Sequence, residues 1–336
     1  MRKAISLLLV AGVLAVATVA VLDTLQSDSD GGGNRSATTS GSTSSTPAAL
    51  EIAGSIPVER PAGVVFAEGS VWVASSTTRQ VVRIDPRRNE VIATIPLDAR
   101  PAYLAVGEGR IYAVDEGRRE ALRIDPATDA VDGSLRVEGP ALGIAFAGGD
   151  AWIADPGGSS IARVDTADGS VLSRVPVPAP TRIAAGEGGV WAVSPGERVL
   201  SRIDPESNFL IATIRFPDVP DDVAVGEGAV WVSHVAARTI SRVDPATNEV
   251  VATIRLPPGT APLFIAAGAG GVWVLSVASI VRIDPATNGI DAFTPLEFAR
   301  HPGPEPLVVG GLAVGEGAAW VADTYSSEVI RFELAA

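Results

Sequence analysis

Gly226-Glu227-Gly228-Ala229-Val230-Trp231-Val232, followed by Ser241-Arg242-Val243-Asp244-Pro245-Ala246-Thr247-Asn248, is the clearest copy of a phrase that recurs along the chain. Its aromatic falls at Trp72, Tyr112, Trp152, Trp191, Trp231, Trp273 and Trp320. Its arginine falls at Arg83, Arg123, Arg163, Arg202, Arg242, Arg282 and Arg331, so the steps are 40, 40, 39, 40, 40 and 49 residues. Self-similarity at about forty residues, built from short alternating strands, predicts a β-propeller with one unit per blade. In the fifth copy, residues 222–225, 229–233, 239–244 and 249–256 alternate apolar and β-branched side chains as four half-buried strands do. Gly-Glu-Gly makes the turn between the first two strands. Asp-Pro-Ala-Thr-Asn makes the turn between the last two, with Pro fixing φ and Asp and Asn bonding their own backbone.

The two ends of the repeat region complete each other. Residues 52–58 have the character of a fourth strand with no first three before it, and 329–334 form a third strand with no fourth after it. The N-terminal strand is therefore expected to complete the last blade. That gives an all-β, seven-bladed propeller of four-stranded blades, closed into a ring without an open end.

Composition narrows the function. Lys plus Arg is 26 against 39 Asp plus Glu, a net charge of −13, which is the wrong sign for a nucleic-acid partner. The chain has no cysteine, hence no disulfide framework, thiolate nucleophile or cysteine zinc site. His234 and His301 are its two histidines.

Arg2 and Lys3 precede an apolar run over 4–22, broken by Ser6 and Thr18. A basic end before an apolar stretch predicts export with that end left inside, and roughly 20 apolar residues span a bilayer. Residues 1–22 thus read as a hydrophobic helix, either a transmembrane signal anchor or a cleaved signal peptide. Residues 23–48 are a Ser/Thr/Gly linker expected to act as a flexible tether. The propeller, 49–336, is placed outside the cytoplasm, membrane-anchored if the helix stays and secreted if it is cut.

A residue present in every blade is best explained by blade packing. The recurrent aromatics are read as core wedges, and the arginine with the aspartate two residues later as a structural ion pair or backbone clamp. Function belongs where the blades differ. Three residues after each aromatic stand Ser75, Asp115, Asp155, Ser194, His234, Ser276 and Asp323. These either cap loops by accepting backbone N–H bonds or ring a ligand or a hard cation, Mg²⁺ or Ca²⁺. Near the channel, the first inner-strand positions read Tyr103, Gly143, Arg182, Asp222, Phe264 and Gly311. Arg182 and Asp222, in adjacent blades, form a salt bridge or hold a ligand's carboxylate or phosphate. The candidate binding residues are accordingly Tyr103, Asp115, Asp155, Arg182, Asp222, His234 and Asp323. The 297–311 connection, with Arg300, His301 and Glu305 among its prolines, is the longest loop.

At Gly-Glu-Gly-x-Val-Trp-Val and Arg-Ile-Asp-Pro-Ala-Thr-Asn the chain resembles the streptogramin lyase (virginiamycin B lyase)-like propellers and the related YVTN-type repeat proteins. The resemblance spans 52–334 and implies the fold. For the lyases it implies Mg²⁺-dependent elimination that opens a cyclic peptide lactone, using histidines on inner strands of neighbouring blades. This chain departs from that pattern: the corresponding positions read Ala102, Leu142, Thr181, Asp221, Leu263 and Gly310. The expected function is therefore a non-enzymatic binding scaffold at the bacterial cell envelope. It is expected to be a monomeric propeller without a required cofactor, presenting its variable face to an envelope protein, a peptide or a small molecule. A metal-dependent lyase or lactonase is the alternative.

Overall fold

The computed structural model describes residues 47–115, 117–136, 143–276, 278–296 and 309–334. The expected helix over 1–22, nearly all of the linker, and Arg300, His301 and Glu305 lie outside them. Among the described residues, no helix is long and apolar enough to cross a membrane.

Strand β1 (Leu50–Pro57) opens the chain. Blade 1 is β2 (Gly63–Ala67), β3 (Ser70–Ser75), β4 (Gln80–Asp85) and β5 (Glu90–Pro96). Blade 2 is β6 (Tyr103–Gly107), β7 (Arg110–Asp115), β8 (Glu120–Asp125) and β9 (Ala130–Arg136). Blade 3 is β10 (Ile144–Ala147), β11 (Asp150–Asp155), β12 (Ser160–Asp165) and β13 (Val171–Pro176). Blade 4 is β14 (Arg182–Gly186), β15 (Gly189–Ser194), β16 (Val199–Asp204) and β17 (Phe209–Arg215), with a short 3-10 turn at Pro195–Glu197. Blade 5 is β18 (Asp222–Gly226), β19 (Ala229–His234), β20 (Thr239–Asp244) and β21 (Glu249–Arg255). Blade 6 is β22 (Phe264–Gly268), β23 (Gly271–Leu275), β24 (Ser279–Asp284) and β25 (Gly289–Pro295). Blade 7 contains β26 (Val309–Gly315), β27 (Ala318–Asp323) and β28 (Glu328–Leu334).

The seven sheets are separate antiparallel four-stranded meanders, and the last has the order β1-β28-β27-β26. The N-terminal strand thus supplies the fourth strand of blade 7, pairing Leu50 with Leu334 and Ile56 with Val329. Each inner strand packs on the next, and β26 returns to β2, so the ring closes.

Turn chemistry explains the blade. Glu227 and Gly228 have φ of 54° and 72°, the two positive values of a type I′ hairpin, whose twist suits the flanking strands. The glycine before this pair is required by packing: a Cβ on Gly107 would lie 1.9 Å from the Phe146 ring of blade 3. In the Asp-Pro-Ala-Thr-Asn turn, Asp244 Oδ1 accepts from Ala246 N–H at 2.7 Å, and Asn248 takes φ of 59°. A bulge follows, shifting register between Arg242 and Val243.

The recurrent arginine is a clamp between blades. Arg83 Nη1 donates to Pro126 O at 2.8 Å, Arg163 to Pro205 O at 2.8 Å and Arg242 to Pro285 O at 2.7 Å, each in the next blade's turn. The last residue of that turn adds a second acceptor, as when Arg163 reaches Asn208 Oδ1 at 2.8 Å. The aspartate two residues after the arginine caps its own turn and so holds the carbonyl that the preceding blade's arginine grips. Of the two readings offered by the sequence, the structure shows the backbone clamp. Except in blade 2, whose aromatic is Tyr112, each guanidinium also lies over its own blade's tryptophan, 4.9 Å from the ring centroid for Arg83 and 5.2 Å for Arg242. The tryptophans are fully buried wedges, and Trp72, Trp152, Trp191 and Trp231 donate Nε1–H to the carbonyl five residues earlier.

One junction differs. Blade 7 has no third-to-fourth turn, because its fourth strand comes from the other end of the chain, and Arg282 of blade 6 pairs with Asp291 of its own blade. The N-terminal segment stitches this seam. Ala48 N–H donates to Asp291 O at 2.7 Å, Phe293 N–H to Ala48 O at 2.9 Å, and Leu50 N–H to Thr294 Oγ1 at 2.7 Å. Leu50 joins a core with Trp273, Leu296 and Phe332.

Candidate functional site

Because strands alternate in direction, the two short turns of every blade share one face. The β3–β4 and β5–β6 type connections share the other, hereafter the loop face. The starts of β6, β14, β18 and β22 bring Tyr103, Arg182, Asp222 and Phe264 to the loop-face end of the channel.

Blade 5 carries the most unusual chemistry there. Asp221 and Asp222 are adjacent and half-buried, where the other blades have Ala102, Thr181 or Leu263 and then Tyr103, Arg182 or Phe264. Asp222 accepts from its neighbour Val223 N–H at 3.0 Å and from Ile265 N–H of blade 6 at 3.3 Å. Burial pushes its carboxyl above the usual carboxylate range, opposed by the positive charge of Arg182 and by these N–H bonds. Asp221 Oδ2 accepts from Val235 N–H at 2.6 Å; burial raises its carboxyl too, and the charge of Asp222 adds to the rise. Two carboxyls raised side by side hold charge reluctantly and gain most from an incoming cation.

His234, at the end of β19, is turned inward among its own blade's strands. It is buried, with Nδ1 3.0 Å from Val219 O and Nε2 2.9 Å from Ser241 Oγ, and its ring packs edge-on against Phe216. Burial lowers its pKa, so the ring is neutral at pH 7. Since a carbonyl only accepts, the proton sits on Nδ1, and Nε2 accepts from the Ser241 hydroxyl.

Of the remaining rim positions, all but Ser194, whose hydroxyl is buried without a hydrogen-bond partner among the described residues, bond the backbone of nearby loops. Asp115 accepts from Arg100 N–H at 2.8 Å and Arg118 N–H at 3.1 Å. Asp155 accepts from Gly158 N–H at 2.9 Å, and Asp323 from Tyr325 and Ser326 N–H and the Ser326 hydroxyl. Ser75 donates to Glu59 O at 2.6 Å, and Ser276 accepts from Ala278 N–H. The structure therefore brings Arg182 and Asp222 together with Asp221, and sets His234 apart from them, against Val219, Ser241 and Phe216. It leaves Asp115, Asp155 and Asp323 in separate blades as caps, and Tyr103 at the channel end of blade 2. Asp221 did not enter the sequence-derived set; its signal was an acidic residue where the other blades carry Ala, Thr, Leu or Gly.

The donor set does not fit the Mg²⁺ that the lyase resemblance implies. That ion demands near-octahedral oxygen ligation. Among the described residues no group of three or more His, Asp or Glu side chains is placed to hold a metal ion. Both nitrogens of His234 are already bonded within the fold.

A seven-bladed β-propeller of four-stranded blades, ring-closed by its N-terminal strand, is the class these features define. No protein-family model matches the chain, and no curated protein does. Among solved structures it is similar to a streptogramin B lyase, 21% identical with a TM-score of 0.68 over 83% of this chain and 95% of that one. It is also similar to Kuenenia stuttgartiensis hydrazine synthase, 14% identical with a TM-score of 0.67 over 83% and 96%. The Neurospora crassa Pan2 WD40 domain, 9% identical, gives a TM-score of 0.66 over 86% and 96%. At these identities the likeness concerns the fold, which unrelated functions share.

Proposed function

We propose that this propeller is a binding module of the cell envelope, and that it seats a cationic group of its ligand at the loop-face end of the channel in blade 5. The observation that carries the reading is the Asp221–Asp222 pair, two half-buried carboxyls with raised pKa at positions where the repeat elsewhere has small or apolar residues. Perturbed acids that break a scaffold's repeat mark a site better than the scaffold itself does. A protonated amine of a peptide or amino sugar suits the pair. Phe264 of blade 6 and Tyr103 of blade 2 pack into the cores between blades, and the positive charge of Arg182 in blade 4, beside Asp222, favours a carboxylate elsewhere on the same ligand. The apolar run over 4–22 and the Ser/Thr/Gly stretch after it support an extracytoplasmic place, tethered to the membrane or released.

Titration calorimetry of the full-length protein with a panel of short peptides tests this. At least one peptide with a free N-terminal amine should bind saturably, with binding lost on acetylation and weakened at least tenfold by Asp222→Asn. Binding indifferent to acetylation and to that substitution would overturn the seat. A reporter fused to the C-terminus checks the location: activity confined to the cytoplasm would overturn the envelope placement. The metal-dependent lyase reading draws on likeness of fold alone, and the unfit donor set leaves it second.

A further inference from the structure

A second site lies away from the channel. Between blades 1 and 2 the loop face carries an open hollow of about 340 Å³, lined by Arg79, Asp98, Ala99, Arg100, Asp115, Gly117 and Arg118. The volume is at the lower end of the range of roughly 300–1,000 Å³ typical of small-molecule sites. Three arginines line it from three connections: Arg79 from β3–β4, Arg100 from β5–β6 and Arg118 from β7–β8. In a chain of net charge −13, three arginines against the two carboxylates of Asp98 and Asp115 leave this hollow with a small local excess of positive charge.

The arrangement is held in place. The buried Asp115 carboxylate accepts from the backbone N–H of both Arg100 and Arg118, so one side chain ties the two arginine-bearing loops to β7. Its oxygens are thereby engaged with backbone donors. Arg118 meets Asp98 at 3.1 Å, but that pair is at the surface, with Asp98 90% exposed, and such pairs are weak. Among the described residues, the Arg79 and Arg100 side chains have no hydrogen-bond or ion-pair partner. Blade 4 provides the contrast: Arg198, the counterpart of Arg79, donates to Pro217 O at 2.9 Å. Arg79 stands at the same turn position, with φ of 54° in both, and makes no such bond.

We infer that this hollow is an anion-binding site for a small ligand carrying two or more phosphate or carboxylate charges. Guanidiniums present paired N–H donors that match such groups, and a multiply charged anion satisfies Arg79 and Arg100 together while displacing the exposed Asp98 from Arg118. Asp115 is a positioning residue here: it lines the hollow, but its carboxylate is engaged with the loop N–H groups it fixes.

The test is calorimetric titration of the full-length protein at low salt with pyrophosphate and with citrate, and with glucose as the neutral comparison. One or both anions should bind saturably with one-to-one stoichiometry, weaken with added salt, and leave glucose without heat. Saturation by pyrophosphate alone assigns a phosphate ligand, and by citrate alone a carboxylate ligand. Arg100→Ala and Arg79→Ala should each weaken binding at least tenfold with an unchanged thermal unfolding midpoint, whereas Arg60→Ala, on the same face outside the hollow, should bind as the parent does. Asp222→Asn should leave anion binding intact, which separates this site from the channel. No saturable binding of either anion up to 10 mM, on the order of the weakest millimolar affinities, would overturn the site. So would parental affinity in both Arg79→Ala and Arg100→Ala.

Discussion

At the scale of single residues, blade 5 gathers groups whose ionisation is tied to folding. Burial raises the Asp222 carboxyl, so the folded state holds its proton more tightly than the unfolded chain does. The sign follows from linkage: that contribution to stability is complete below the unfolded value, near 3.9, and fades as pH climbs through the folded one. Asp222→Asn should therefore raise the thermal midpoint relative to the parent at pH 7, with the two converging near pH 4; equal midpoints at pH 7 would show a solvated carboxyl. His234 gives the opposite slope, since burial lowers its pKa. Its contribution is complete above about 6.5 and is lost as pH falls through the depressed value. His234→Ala should cost about 2–4 kcal/mol at pH 7, because it opens a cavity and strips the buried Ser241 hydroxyl of its partner. Urea unfolding measures this, and a loss under about 0.5 kcal/mol, the level of ordinary surface changes, would contradict an inward structural role.

At the scale of elements, the unit of stability is the contact from one blade's third strand to the next blade's turn. Arg242 illustrates it: a carbonyl and an amide oxygen of blade 6 accept from Nη1, and the guanidinium covers Trp231. Hydrogen bonds from a charged donor are worth about 1.5–3 kcal/mol and an exposed-to-desolvated cation–π contact about 0.5–2. Arg242→Ala should thus destabilise by about 2–4 kcal/mol in denaturant melts. Arg282→Ala should cost measurably less, because its partner Asp291 belongs to the same blade and no next-blade turn is gripped. Equal losses would mean that cation–π stacking alone carries the clamp. Outer strands behave differently: Phe209 at 70% exposure and Ile52 at 64% keep the apolar strand pattern without burying it. Alternation there reports strand geometry and not core membership.

At the scale of the whole molecule, a ring must close once, and closure falls where the repeated clamp is missing. Backbone bonds from Ala48 and packing by Leu50 take its place between blades 6 and 7. Leu50→Ala should cost about 2–4 kcal/mol as a buried leucine truncation, whereas Ile52→Ala on the same strand should stay within about 0.5. Native-state hydrogen exchange should then show the loss concentrated in β1, β25 and β28; an even loss over all seven blades would argue against a localised seam.

The chain's own periodicity determined the blade count, the place of each turn and the closing strand, because each depends on local chemistry repeated at about forty residues: Gly-Glu-Gly for a tight turn, Asp-Pro for a capped turn, an aromatic for each wedge. A repeated residue could be recognised as structural, but whether the arginine met its own aspartate or the next blade's carbonyl depended on how blades pack. The same limit held at the rim. Asp115, Asp155 and Asp323 share their offset with His234, yet three accept loop N–H bonds and one is buried against Ser241. Sequence spacing sets the strand and register of a side chain, and the neighbours that decide its charge and direction come from blades about forty or more residues away. Only the tertiary structure could bring Asp221 and Asp222 under the influence of Arg182 and Ile265, or set Arg79, Arg100 and Arg118 around one hollow, because those arrangements arise between blades and not within the repeat.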